Sequence, residues 1–142
     1  NHDGVLSSDP INHAVMVKER EEKVQRVANY IPELEVNGEQ SGKLLVVGWG
    51  GTYGHLLSAV QEVREKGIDV SFAHFDYIMP LPKNTAEVFG KFEKILVCEL
   101  NNGHFVNYLR GLMPQFKYEQ FNKVQGQPFL VQEIVGAIKE NL

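Results

Sequence analysis

Lys43 to Gly67 reads KLLVVGWGGTYGHLLSAVQEVREKG, and three patterns follow one another in it. Leu44, Leu45, Val46 and Val47 form an unbroken apolar run, too short for a buried helix and closed by glycine, which predicts a strand covered on both faces. Leu56, Leu57, Val60 and Val63 then recur at helical spacing. Gln61, Glu62, Arg64 and Glu65 take the opposite face, and Gly67 suits the left-handed stop. Between the two, residues 48–54 hold four glycines, which let a chain turn sharply and approach a neighbouring surface closely. A strand, a glycine-rich bend and a helix make the opening of a βαβ unit.

Such a bend can cradle phosphate on the helix N-terminus. The dinucleotide fingerprint G-x-G-x-x-G needs glycine at position 53, which is tyrosine, so only a looser Gly48, Gly50, Gly54 variant remains, with Asp76 placed to reach a ribose. No Gly-Lys followed by Ser or Thr occurs, which removes the phosphate loop of nucleoside-triphosphate enzymes. The favoured expectation is a tight turn over which Trp49 and Tyr53 pack.

The 142 residues suit one domain with one core. Eighteen acidic residues outnumber 14 basic ones, the net charge is -4, and the basic residues form no patch, which argues against nucleic acid as a partner. Apolar runs fall short of a membrane span and no signal peptide is evident, so the chain is expected to be cytoplasmic, with no membrane partner. Cys98 is the single cysteine and lies in the apolar run Ile95–Cys98, which excludes an intrachain disulfide and a cysteine-held cluster. An asparagine at position 1 points to a processed product or a piece of something longer.

From the N-terminus, a polar, turn-rich segment leads to Asp9-Pro10, a helix start with aspartate as cap. The helix is expected to run to about Asn29, thinly apolar and carrying six charged residues over 18–23, hence largely solvated or bridging to a neighbour. Residues 1–31 therefore form a linker segment with a polar helix, and 32–142 the α/β domain. Leu34-Glu35-Val36 predicts a short edge strand and Ile68–Phe75 another strand, followed by a stiff loop with Pro80 and Pro82. Asn84 and Glu87 read as a capping pair for a short helix carrying Val88, Phe89 and Phe92. The strand Ile95–Cys98 leads through residues 99–103 to a helix with Phe105, Val106, Leu109, Leu112 and Met113 as apolar positions. Lys117–Phe121 predicts an edge strand, and Pro128 opens a last helix striped by Leu130, Val131, Ile134, Val135, Ile138 and Leu142. Strands alternating with helices predict an α/β layer fold with a mostly parallel sheet, whose ligand sites gather at the carboxyl ends of strands: Gly48–Thr52, His74–Asp76 and Glu99–Gly103.

No residue is assigned a catalytic role. No two histidines stand at the i, i+4 spacing of helical metal ligands, so no metal residue is named. His55 and His104 each sit in a first helical turn, where a neutral imidazole can donate to substrate. Glu99 at a strand end suits an acid or base if desolvated, but beside Asn101 and Asn102 it more often fixes loop backbone. Ser7, Ser8 and Ser58 lack a nucleophile elbow. Candidates for cofactor contact are confined to the loop residues Gly48, Gly50, Gly51, Thr52, Asn101, Asn102 and Gly103.

Residues 2–10 with His13, Met16, Arg20 and Lys23, the run Leu45–Gly54, Pro80-Leu81-Pro82 and Val97–Gly103 together resemble the alpha subunits of 2-oxoacid:ferredoxin oxidoreductases, the 2-oxoglutarate type most closely. The resemblance covers nearly the whole chain. It implies a domain like the C-terminal domain of transketolase, a three-layer α/β/α sandwich with a five-stranded, mostly parallel sheet and one antiparallel edge strand. It further implies that the whole enzyme decarboxylates a 2-oxoacid oxidatively on thiamine diphosphate, reduces ferredoxin through iron-sulfur clusters and forms an acyl-coenzyme A. Thiamine diphosphate, magnesium and cluster then belong to other domains or to the beta subunit, and none to this segment. Many relatives place glutamine after the glycine of the last motif, where this chain has His104.

The expectation is a structural and assembly domain of such an alpha subunit, inactive by itself, whose partners are the remaining alpha domains and the beta subunit, with homo-oligomer formation left open. The alternatives are a stand-alone α/β nucleotide-binding protein using residues 48–54, or the C-terminal domain of another thiamine enzyme of transketolase or pyruvate dehydrogenase type.

Overall fold

The computed structural model describes residues 2–142; Asn1 lies outside the described residues. Helix α1 (Pro10–Arg26) opens the fold and continues as a 3-10 turn over Val27–Asn29. The Asp9 carboxylate accepts from Ile11 N and Asn12 N (3.4 and 2.8 Å), as its position before Pro10 predicts. Strands β1 (Val36–Asn37) and β2 (Gly42–Trp49) follow, then helix α2 (Tyr53–Glu65) and strand β3 (Ser71–Phe75). Helix α3 (Thr85–Phe89), strand β4 (Phe92–Glu99), helix α4 (His104–Leu112), strand β5 (Tyr118–Asn122) and helix α5 (Val131–Glu140) complete the chain.

The sheet runs β1-β3-β2-β4-β5, with β1 antiparallel to β3 and the other pairings parallel. Because β2 sits in the middle, its successive side chains feed two cores. Leu44 and Val46 join Leu56, Val60 and Val63 of α2 and Ile134 and Ile138 of α5. Leu45 and Val47 join Phe89 of α3 and Phe105, Val106 and Leu109 of α4. The unbroken apolar run is thus explained by helices on both faces, and each such burial contributes about 1.5–3 kcal/mol. The result is the expected three-layer α/β/α sandwich with one antiparallel edge strand.

Several local expectations are corrected. The edge strand is shorter and later than Leu34–Val36. Leu34 N donates to Asn84 Oδ1 (2.7 Å) and Asn84 Nδ2 donates to Leu34 O (3.0 Å), so the Leu34 backbone is engaged by a side-chain amide instead of a ladder. Asn84 consequently makes no side-chain cap on α3, and Glu87 pairs with Lys91 at 2.8 Å. Phe92 belongs to β4 rather than to α3, and β3 begins at Ser71 rather than Ile68. Leu112, Leu130 and Leu142, named as apolar stripe positions, are exposed. Pro128 does not open α5. The helix starts at Val131, where Glu133 accepts from Leu130 N (2.8 Å) and pairs with the buried Lys123 (2.8 Å).

Gly48 shows what the glycine-rich bend is for. A Cβ there would lie 2.1 Å from Leu56 Cδ1 and 2.7 Å from Thr52 Oγ1, so the close approach is to the chain's own helix α2. Gly48→Ala is expected to lower the unfolding free energy by about 1–3 kcal/mol through overpacking. Gly51→Ala, whose Cβ would meet nothing within 4 Å, serves as the control. Urea titration of the two variants distinguishes them, and equal midpoints would contradict this packing.

Candidate functional site

After β2 the chain first adds β3 on one side and later β4 on the other, so strand order reverses between β2 and β4. Open sheets of this kind leave a crevice outside the carboxyl ends of the diverging strands. In this chain Trp49 of β2, Glu99 of β4 and the first turn of α4 bond to one another at that place. Glu99, the last residue of β4, is fully buried, and its carboxylate accepts from Phe105 N (2.7 Å), Val106 N (2.9 Å) and Trp49 Nε1 (3.2 Å). The first two donors belong to the first turn of α4 and the third to the end of β2. A buried carboxylate is thus held by the unpaired amides and the positive end of a helix, which is what makes its burial affordable. Trp49 also sets its ring against Phe105, centroids 6.1 Å apart at 61°. A phosphate at the α4 N-terminus would meet a negative charge already in place.

The other expected strand-end residues serve the turns. Thr52 is buried, its hydroxyl donating to Trp49 O (2.9 Å) and accepting from Trp49 N (3.2 Å). Asn101 Oδ1 accepts from Gly103 N (2.8 Å) and His104 N (2.9 Å), and Gly103 takes φ +86 at the N-cap of α4. Gly50, at φ +60, and Gly51 and Asn102 are exposed at the rim. His104 is exposed and His55 partly so. Cys98 is buried in β4, and burial pushes its thiol well above the usual range, so it is not a nucleophile. Sequence reasoning marked Glu99 as a fixer of backbone but missed its bond to Trp49, which lies 50 residues earlier and is brought near by the β2–β4 pairing.

A separate cleft of about 470 Å³ flanks the end of β3, with Glu33, Glu35, Tyr53, His74, Asp76 and Tyr77 among its walls. Tyr53 packs edge-on against His74, centroids 5.2 Å apart, and also contacts Phe72. His74 is largely buried, and burial pulls its imidazole below the usual histidine range, with the Asp76 carboxylate acting in the opposite direction.

Two measurements check this geometry. Glu99→Ala leaves three donors without their acceptor and is expected to cost about 3 kcal/mol, with a red-shifted emission from Trp49, the only tryptophan. Denaturant titration followed by fluorescence reads both effects, and an unchanged midpoint would contradict the assignment. The folded state binds the His74 proton less readily than the unfolded chain does, so stability is expected to fall as pH drops below about 6.5 and to level off beneath the folded value. His74→Gln should flatten that part of a pH series of melting temperatures.

No protein-family model matches this sequence. The subunit KorA of 2-oxoglutarate oxidoreductase from Mycobacterium tuberculosis is 36% identical over 147 residues, covering 100% of this chain and 21% of the relative. The alpha subunit of 2-oxoacid:ferredoxin oxidoreductase 1 from Aeropyrum pernix is 27% identical, over 95% of this chain and 22% of the relative. Among solved structures, 2-oxoglutarate:ferredoxin oxidoreductase from Magnetococcus marinus, with 2-oxoglutarate, coenzyme A and succinyl-CoA bound, matches 97% of this chain and 24% of its own at 27% identity and TM-score 0.87. A split-gene transketolase, at 12% identity and TM-score 0.59 over 76% of this chain, shares the fold. The chain spans about a fifth of the length of the curated relatives it matches. Over its whole length it is therefore a homologue of one segment of the alpha subunits of 2-oxoacid:ferredoxin oxidoreductases, with a transketolase-like fold.

Proposed function

We propose that the chain is the structural and assembly domain of the alpha subunit of a cytoplasmic 2-oxoglutarate:ferredoxin oxidoreductase. The observation that carries this reading is the network at the switch point: Trp49, Glu99 and the first turn of α4 bond to one another where an open α/β sheet would take a ligand. The relatives are named as oxidoreductase subunits, so the chemistry is assigned to the whole complex, and this segment holds neighbours in position.

The residues fit that division. One buried cysteine cannot supply the thiolates of an iron-sulfur cluster, and among the described residues no group of three or more His, Cys, Asp or Glu is placed to hold a metal ion. A thiamine diphosphate would bring negative charge to a helix end that Glu99 already neutralises. Thiamine diphosphate, magnesium and cluster are accordingly assigned to the other alpha domains and the beta subunit, and no catalytic step is routed through this chain. The division of the chain into a linker with a polar helix over 1–31 and an α/β domain over 32–142 belongs to the same proposal. It is supported by α1, which has no buried residue, and by two cores built wholly from Leu34 onward. The rim residues Gly50, Gly51 and Asn102 are then surface offered to neighbouring domains.

The 142-residue chain alone is expected to show no 2-oxoglutarate-dependent reduction of ferredoxin or of a dye acceptor, while the assembled alpha-beta enzyme turns over. Sustained turnover by the chain alone would refute the reading.

A further inference from the structure

His74 in β3 is held by packing rather than by hydrogen bonds through its ring. Its side chain is 11% exposed, Nδ1 is buried with no partner, and Nε2 stands 3.9 Å from Asp76 Oδ1, beyond hydrogen-bond reach. The ring is clasped instead by Tyr53, edge-on with centroids 5.2 Å apart, and by Phe72 at 6.2 Å. This setting suits a neutral imidazole. A protonated one carries a donor on both nitrogens, and in this arrangement the Nδ1 proton would be buried without an acceptor. Burial opposes the charge most strongly, while Asp76 and the Gly50 backbone favour it.

Room for the ring lies beside it. The cleft of about 470 Å³ at the end of β3 has His74 in its wall together with Glu33, Glu35 and Asp76. All three carboxylate residues are exposed, and among the described residues none of them is paired with a lysine or arginine. The other titratable groups around the ring are Tyr53 of α2 and Tyr77 after β3. The β2 side presents Gly48, whose added Cβ would lie 3.6 Å from Nδ1, and the β1 side presents Val36 and Asn37. A charged ring that turns into the cleft keeps the attraction of Asp76, gains that of the two glutamates and sheds the cost of burial. A neutral ring making the same turn would give up its aromatic packing with no charge to compensate.

We propose that His74 is a proton-operated latch: neutral, it holds the Tyr53 ring edge-on; protonated, it turns into the cleft beside Glu33, Glu35 and Asp76 and lets Tyr53 go. Tyr53 is the first residue of α2 and directly follows the 3-10 turn Gly50–Thr52, so the latch governs how firmly the rim at the carboxyl end of β2 is held. The inference does not depend on the alpha-subunit reading.

The test is proton NMR of the 142-residue chain, following the rings of His74, Tyr53 and Phe72 from about pH 8 down to about pH 5, across the range in which histidine titrates. Cross-relaxation between His74 and both aromatic rings is expected in the neutral form and should be lost as His74 takes its proton, with the Tyr53 resonances moving at the same midpoint. Glu33→Gln with Glu35→Gln should lower that midpoint by about half a pH unit, because the outward position loses two of its three carboxylates. His74→Gln should leave the Tyr53 resonances independent of pH. Cross-relaxation that persists in the fully protonated form would overturn the inference. So would an unchanged midpoint in the double glutamine variant, or a His74 that stays neutral until the backbone signals of β2 and β4 report unfolding.

Discussion

The arrangement depends on one buried negative charge. Glu99 ends the strand β4, sits wholly inside the protein and is held by two amides of α4 and by the indole N–H of Trp49. Removing a carboxylate from water is costly unless donors surround it, and here three donors from two segments converge on its two oxygens. The bond to Trp49 ties the carboxyl end of β2 to the carboxyl end of β4 across the line where strand order reverses. The bonds to Phe105 and Val106 fix the direction in which α4 leaves the sheet. Glu99 thereby joins the ends of β2 and β4 to the first turn of α4.

Much of this was legible in the sequence. Leu44–Val47, a short apolar run closed by glycine, reads as a doubly covered strand, and the periodicity of Leu56, Val60 and Val63 identified its helix, so the βαβ core followed. Gly67 at φ +78 and Asp9 before Pro10 marked helix ends for local steric and hydrogen-bonding reasons. What escaped was non-local. Asn84 looked like a cap because its neighbours in sequence suit one, but its amide reaches Leu34, 50 residues earlier, and shortens the edge strand there. Pro128 looked like a helix start, whereas Glu133 sets the start at Val131 through Leu130 N and Lys123. Side-chain amides and carboxylates are the groups whose partners local pattern cannot name, and the Trp49–Glu99 bond belongs to that class.

Two regions of the molecule differ in how they are held. The sandwich from Leu34 onward has apolar cores on both faces of its sheet and an ion pair between the buried Lys123 and the partly exposed Glu133 fastening its last helix. In that pair the lysine ammonium, before the Leu130 amide, draws the glutamate below the usual carboxylate range. The helix α1 has a cap and an exposed stripe but no core of its own.

The most direct test of a scaffold with its switch point closed is calorimetric titration of the 142-residue chain with magnesium thiamine diphosphate, NAD and coenzyme A, with the emission of Trp49 followed in parallel. The account predicts no saturable heat and no spectral change at millimolar ligand. Saturable binding of any of the three that perturbs Trp49 would contradict it.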